Sequence, residues 1–194
     1  MNIICNTCVG GRIYEHYKLQ YTNPFIWNAI NTPDFMLLVE NYDKINFNNF
    51  KLIYKDDIYQ IIIDDLFTVT YPHYKYDKNI TTPTIKHERY GTRLYLNTID
   101  QYIINKYKNR VLRLLDNKED PTFILIKGTT FGKNIKCLDS DIEYFININT
   151  PYKKIVYTDK IYNKNIINNT QIVNGKYNIN SVEIAKTIIN TVKL

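Results

Sequence analysis

Apolar residues along this chain recur with two periods, about 2 and about 3.6, and the two alternate over most of its length. Met1 to Asn6 reads as a short strand in which Cys5 alternates with Ile3. A turn carrying Cys8 and the glycine pair Gly10 and Gly11 follows, and a helix is predicted from about Arg12 to Leu19 with Ile13 and Tyr17 on its buried side. Asn23-Pro24-Phe25 marks a turn within the loop from Tyr21 to Trp27. Thr32-Pro33 is a helix start, a capping residue followed by proline at the first helical position, and Phe35, Leu38, Val39 and Tyr42 continue it at helical spacing. Phe50 to Tyr54, Ile58 to Ile63 and Leu66 to Tyr71 are three strands rich in β-branched and aromatic residues, with Asp56-Asp57 and Asp64-Asp65 at their ends as turns.

From His73 to about Thr98 the chain is polar, and a short helix and a loop are expected there. Thr98 and Gln101 form a capping box for a helix to about Leu115. Its apolar positions Ile99, Tyr102, Ile103, Val111 and Leu114 leave Lys106, Lys108, Asn109 and Arg113 outward. Thr122 to Lys127 and Lys154 to Tyr157 are strands, separated by a short helix capped by Ser140 and ending near Phe145. Ile166 to Val173 adds an edge pairing, and a capping box at Asn180 and Glu183 opens a final helix to Val192. This alternation predicts an α/β fold, a single domain over residues 1–194 with a mixed central sheet flanked by helices.

Composition narrows the setting. A chain of 194 residues with 44% hydrophobic content builds a real core. No run reaches the roughly 18 apolar residues of a membrane span, and no basic start precedes an apolar segment, so neither a span nor a signal peptide is expected. Three cysteines fit a reducing compartment without a disulfide framework, which points to the cytoplasm, or the host cytoplasm if the source is viral. The net charge of +6 is carried by scattered lysines in a chain crowded with Asn, Ile, Lys and Tyr, residues of AT-rich codons, so no specific nucleic-acid partner is expected.

Candidate chemistry gathers at the first turn. A helix N-terminus presents unpaired N–H groups and partial positive charge, which stabilise a thiolate or a phosphate. Cys8 stands there and is the candidate nucleophile, while Cys5 belongs to the strand pattern and the core. Cys5-Asn6-Thr7-Cys8 is a C-x-x-C without the further ligands that a zinc site needs. A thiolate nucleophile needs a base, and His73, just past an apolar strand, is the candidate; His16 reads as a surface residue and His87 as solvated. Asp65, Asp64 and Asn6 are candidates to orient the base, with Asp65 preferred. Asp64-Asp65 after Ile61-Ile62-Ile63 also matches the strand-end aspartates with which metal-dependent glycosyltransferases hold a divalent ion and a diphosphate. Gly128 to Lys133 lacks phosphate-loop spacing, but Thr129 and Lys133 would stand at the carboxyl edge of the sheet, where substrates bind.

Several of these segments together resemble the family of exopolysaccharide biosynthesis proteins, long a domain of unknown function. That family opens with a strand, Ser-Asn-Asn-Cys-Trp-Gly-Gly, a helix and a Ser-Pro-Phe turn; this chain has Cys5-Asn6-Thr7-Cys8-Val9-Gly10-Gly11 and Asn23-Pro24-Phe25. A His-Tyr pair after a strand is matched by His73-Tyr74, a basic helix by Lys106 to Arg113, and the late strands by Ile124 to Lys127 and Lys153 to Tyr157. The chain departs where the family has Ser in place of Cys5, and Asp-Arg in place of Gly128-Thr129. Pro24-Phe25-Ile26-Trp27 with a later histidine is also similar to the layout of putative papain-like cysteine peptidases.

The chain is therefore expected to be a surface-glycan or exopolysaccharide enzyme with a sugar or glycan substrate. Cys8 would serve as nucleophile, His73 as base and Asp65 as orienting carboxylate, in acyl transfer or hydrolysis. The N–H groups of Val9 to Gly11 would form the oxyanion site, and Asn6, Gly10, Gly11, Asn23, Trp27, Tyr74, Thr129 and Lys133 would line the substrate site. No cofactor or resident metal is expected on this account. Two alternatives stay open: a metal-dependent glycosyltransferase using manganese or magnesium with a nucleotide sugar at Asp64 and Asp65, and a non-catalytic glycan- or protein-binding domain using tyrosines such as Tyr74 and Tyr76.

Overall fold

Strands whose side chains are apolar on both faces pair in parallel and are buried on both faces. Four runs here do so. β1 (Asn2–Cys5), β7 (Pro121–Ile126), β8 (Lys153–Thr158) and β10 (Thr170–Asn174) lie side by side in that order, all parallel, and the two-residue β9 (Ile166–Ile167) closes the far edge antiparallel to β10. The computed structural model describes residues 1–55, 58–76, 84–87, 93–127, 137–163, 166–176 and 180–192, with backbone alone over 72–76, 84–87 and 93–99.

The two-residue alternation of side chains sorts this sheet into two faces. Ile3, Cys5, Ile124, Ile126, Ile155, Tyr157 and Val173 pack with α1 (Val9–His16) and α5 (Ser181–Val192). Ile4, Phe123, Leu125, Val156 and Ile172 pack the other way, against α2 (Thr32–Asn41) and α4 (Asp139–Asn147). A second, antiparallel sheet runs in the order β2 (Phe50–Lys55), β3 (Ile58–Ile63), β4 (Phe67–Tyr76), β5 (Thr84–His87) and β6 (Arg93–Tyr95). Its Tyr59, Ile61, Ile63, Phe67, Val69 and Tyr71 enter the same hydrophobic cluster as α2 and α4, joined by Ile103, Tyr107, Val111 and Leu114 of α3 (Leu96–Asp116). The fold is α/β with a mixed sheet flanked by helices, as the sequence pattern predicts. Among the described residues no helix is long and apolar enough to cross a membrane.

Most element ends follow local chemistry. Asn31, one residue before the predicted cap, accepts the Asp34 N–H and caps α2. Asn180 accepts from the N–H groups of Val182 and Glu183 and opens α5. α1 starts three residues before the predicted Arg12 and ends at His16, because Lys18 takes a left-handed backbone with φ 53°. The polar stretch after His73 departs from expectation: β4 runs on to Tyr76, and the described parts beyond are the strands β5 and β6 where a helix and loop were predicted. α3 begins at Leu96, so Thr98 lies inside the helix and does not cap it.

One buried charge explains how α4 meets the sheet. Lys154 occupies a core-facing position of β8 and is 1% exposed. Its ammonium donates to the carbonyls of Phe145 at 3.0 Å, Ile146 at 2.8 Å and Ile148 at 2.7 Å. Carbonyls at a helix C-terminus run short of N–H partners and carry partial negative charge; one lysine serves those of Ile146 and Ile148 and shares that of Phe145 with the Ile148 N–H. Burial pulls its pKa down to about 8, which leaves it protonated at neutral pH. Lys154→Met should take that donor from the Ile146 and Ile148 carbonyls and cost about 2 kcal/mol or more, whereas Lys153→Met, at an exposed neighbour, should be near neutral. Urea unfolding of the two variants checks this; equal stability would refute the capping role.

Candidate functional site

In open parallel sheets, ligands bind beyond the carboxyl ends of the strands. Here that edge holds Asn6, Thr7 and Cys8 after β1, Lys127 after β7 and Asp159 after β8. Lys127 donates to both Asp139 and Asp159, the latter at 3.1 Å.

Asn6 is fully buried and clamps β1 to β7: its Oδ1 accepts the Ile126 N–H at 2.9 Å and its Nδ2 donates to the Ile126 carbonyl at 3.2 Å. Its main-chain carbonyl accepts the Ile30 N–H at 3.0 Å. Cys8 follows as the N-cap residue of α1, with helical backbone angles and 4% exposure. Cys5 lies one turn of chain earlier in the core. Burial, opposed by hydrogen bonds from Thr7 and Gly10, pushes its thiol up to about 11. Burial likewise pushes Cys137 up to about 12. All three cysteines are free thiols.

The glycine pair serves packing. A Cβ at Gly10 would stand 3.0 Å from Cβ of Cys5, and one at Gly11 would enter the Trp27 ring at 2.6 Å. The first-turn N–H groups are partly engaged within the protein, since Val9 donates to Thr7 Oγ1 at 3.3 Å and Gly10 to the Cys5 sulfur. This corrects the expectation of an oxyanion site spanning Val9 to Gly11, because two of its donors already have acceptors.

Two further predicted contacts are tied into the frame. Trp27 has a left-handed backbone (φ 64°), donates Nε1–H to the Tyr21 hydroxyl at 2.9 Å, and lies under the Arg12 guanidinium. Asn23 is fully buried; its Nδ2 donates to the Ile3 carbonyl at 2.8 Å and its Oδ1 accepts the Phe25 N–H at 3.1 Å, which forms the turn.

His73 lies in an irregularity of β4. Tyr71 pairs with Tyr59, and the next pairing is Lys75 with Ile58, so Pro72, His73 and Tyr74 bulge out of register. Proline is tolerated at such a place because no ladder donor is required of it. The strand is anchored nearby: Thr70 exchanges both main-chain hydrogen bonds with Ala29, at 2.8 and 2.9 Å.

Asp64 and Asp65 do form a turn, both with left-handed backbone angles, φ 53° and 51°. Asp64 accepts from the Asn46 N–H and the Asn49 side chain, which hold its carboxyl below the usual carboxylate range. Asp65 is exposed and paired with Lys51 at 2.7 Å. β4 separates it from His73, since Phe67 to Tyr71 alone spans about 13 Å of strand. Asp65 therefore does not orient His73, and the expectation that it sits beside that residue is corrected. Thr129 and Lys133 lie outside the described residues. Among the described residues no three of His, Cys, Asp or Glu converge as a metal-holding group.

Sequence reasoning missed Arg110 and set Lys106 outward. Arg110 is 4% exposed and donates to the Ile26 carbonyl at 2.8 Å, while Arg113 donates to the Tyr21 carbonyl at 2.9 Å. The signal lay in the buried set Ile103, Tyr107, Val111 and Leu114, whose spacing puts 106 and 110 on the margin of the apolar stripe.

Fold and site together define an α/β protein with a cysteine at the start of its first helix, on the carboxyl edge of a parallel sheet. Comparison with protein-family models gives no match, and comparison with curated proteins gives none either. The packing of the turn makes its own prediction. Gly11→Ala should destabilise the protein by about 1–3 kcal/mol, and Trp27→Leu in the same chain should recover part of the loss. Chemical denaturation followed by far-ultraviolet circular dichroism reads both; additive losses would show that Trp27 is not the obstacle.

Proposed function

We propose that this protein is an enzyme of surface-glycan or exopolysaccharide assembly that works in the cytoplasm and transfers or hydrolyses an acyl group on a sugar substrate. Cys8 is the nucleophile and His73 the base. The observation that carries the proposal is the backbone path joining their segments. Asn6, two residues before Cys8, holds Ile30; the adjoining Ala29 holds Thr70, three residues before His73. The family resemblance of the Cys8, Asn23-Pro24-Phe25 and His73-Tyr74 segments supplies the substrate class.

In this mechanism His73 takes the Cys8 proton and the thiolate attacks the acyl carbonyl carbon. The leaving group departs with the proton from His73, and a thioester remains on Cys8. A sugar hydroxyl, or water, then gives its proton to His73 and attacks the thioester; the acyl product leaves and the thiol is restored. Tyr74, Thr129 and Lys133 are the proposed substrate contacts. Asp65 takes no part, because its carboxylate belongs to the turn and to Lys51.

The three thiols make the test selective. Cys5 and Cys137, pushed up to about 11 and 12, stay protonated near neutral pH. Iodoacetamide should therefore label Cys8 first, and His73→Ala should slow that labelling about tenfold as the thiolate fraction falls. Mass spectrometry of timed samples reads both. Equal, slow labelling of all three cysteines, or a Cys8 rate unchanged in His73→Ala, would overturn the proposal.

A further inference from the structure

α1 and α5 lie against one another on one face of the parallel sheet, and an open groove of about 240 Å³ runs between them. Its lining follows helical spacing on both sides. Arg12, Glu15 and His16 come from α1, and Val182, Ala185, Lys186 and Ile189 from α5. The floor is apolar. Val182 and Ile189 stand two turns apart, about 10 Å along the helix axis, and Ala185 between them has only a methyl group, which leaves the trough open. The α1 wall is fixed. The Arg12 guanidinium donates to Glu15 at 3.0 Å and to the Ser181 hydroxyl at 3.5 Å, and it lies 4.9 Å from the centroid of the Trp27 ring. The rim is positive. Arg12 and Glu15 balance one another, whereas Lys186 is exposed and forms no ion pair among the described residues.

Covering apolar surface is favourable in proportion to its area. A lysine at the margin of such a surface lays its stem along it and keeps its ammonium in water, where it can meet an opposite charge. A ligand that matches both features has an unbranched apolar tail and an anionic head. We propose that the groove between α1 and α5 binds a medium-chain carboxylate, its tail along Val182, Ala185 and Ile189 and its head paired with Lys186. The length of the floor sets the length of the tail. The single uncommitted charge of Lys186 is balanced by one carboxylate. A docked partner protein fits less well, because such an interface covers about 800 Å² on each side, whereas this trough is two helical turns long. The ligand lies along the helix whose N-cap is Cys8. The site goes beyond the proposed acyl chemistry and stands on α1 and α5 alone.

Calorimetric titration of the full chain with hexanoate and octanoate, at fixed ionic strength and below the micelle concentration, tests the site. Octanoate should bind about tenfold more tightly than hexanoate, because the further methylenes are buried. Ala185→Leu grows a side chain into the trough and should abolish octanoate binding. Lys186→Met, at an exposed position, should weaken octanoate about threefold to fivefold and leave the binding of octanol unchanged. The control Lys153→Met, exposed on β8, should behave as the parent. Circular dichroism reports whether Ala185→Leu folds; if it does not, the contrast between octanoate and octanol in Lys186→Met decides. Failure of the parent to bind octanoate, equal affinities for hexanoate and octanoate, or a Lys186→Met variant that binds octanoate as the parent does would each overturn the proposal. Capture of an acidic amphipathic peptide by a parent that ignores octanoate would overturn it too and assign the groove to a protein partner. Cys8 labelling takes no part in the test, so the groove and the cysteine chemistry fail separately.

Discussion

A buried asparagine amide holds the carboxyl edge of the parallel sheet to the loop that crosses it. Asn6 has no solvent to fall back on, so each of its polar groups must find a partner inside the protein. It does so by treating Ile126 of β7 as a strand neighbour, donating and accepting with one side chain, while its own carbonyl holds Ile30. Three segments meet at this residue: the end of β1, the end of β7 and the loop that crosses to β4. The Cys8 turn starts directly after the strand end that is pinned in this way. A substitution at Asn6 would leave the Ile126 N–H or carbonyl unsatisfied, at about 1–3 kcal/mol for each group.

The outer edge of β1 is managed by the same device. An edge strand exposes a row of unpaired backbone groups. Here the Tyr14 hydroxyl accepts the Ile3 N–H at 3.1 Å, and Asn23 donates to the Ile3 carbonyl at 2.8 Å. Side chains from α1 and from the following loop thus stand where another strand would. The loop from Tyr21 to Ile30 is thereby fixed by hydrogen bonds on one side and by Arg110 and Arg113 of α3 on the other. A cysteine, a histidine-bearing strand and a basic helix that are far apart in sequence are tied to one short loop. Their backbones are thereby linked through one short stretch of chain.

Much of this was legible from the residues alone, and the failures have specific causes. The parallel strands announced themselves by unbroken apolar runs, and the turn at Asp64-Asp65 by two short polar residues that tolerate left-handed backbone. The glycine pair was visible, but its purpose was not. Gly11 is required by a tryptophan 16 residues later in sequence, and no local pattern reports such a contact. Asn6 and Asn23 looked like substrate contacts because polar residues beside a nucleophile usually are, whereas long-range backbone partners claim both. Asp65 was assigned to the wrong end of β4, since sequence proximity to His73 conceals the length of an extended strand. Lys106 was placed outward by a charge rule that burial overrode, and Arg110 was passed over.

The account stands on the claim that Asn6 couples the end of β7 to the loop and, through it, to β4. Native-state hydrogen exchange on an Asn6→Ala variant tests that claim most directly. The amides of Ile126, Ile30, Ala29 and Thr70 should lose protection together, while those at the centre of β8 keep theirs. Loss confined to Ile126, with Ala29 and Thr70 as protected as in the parent, would contradict it.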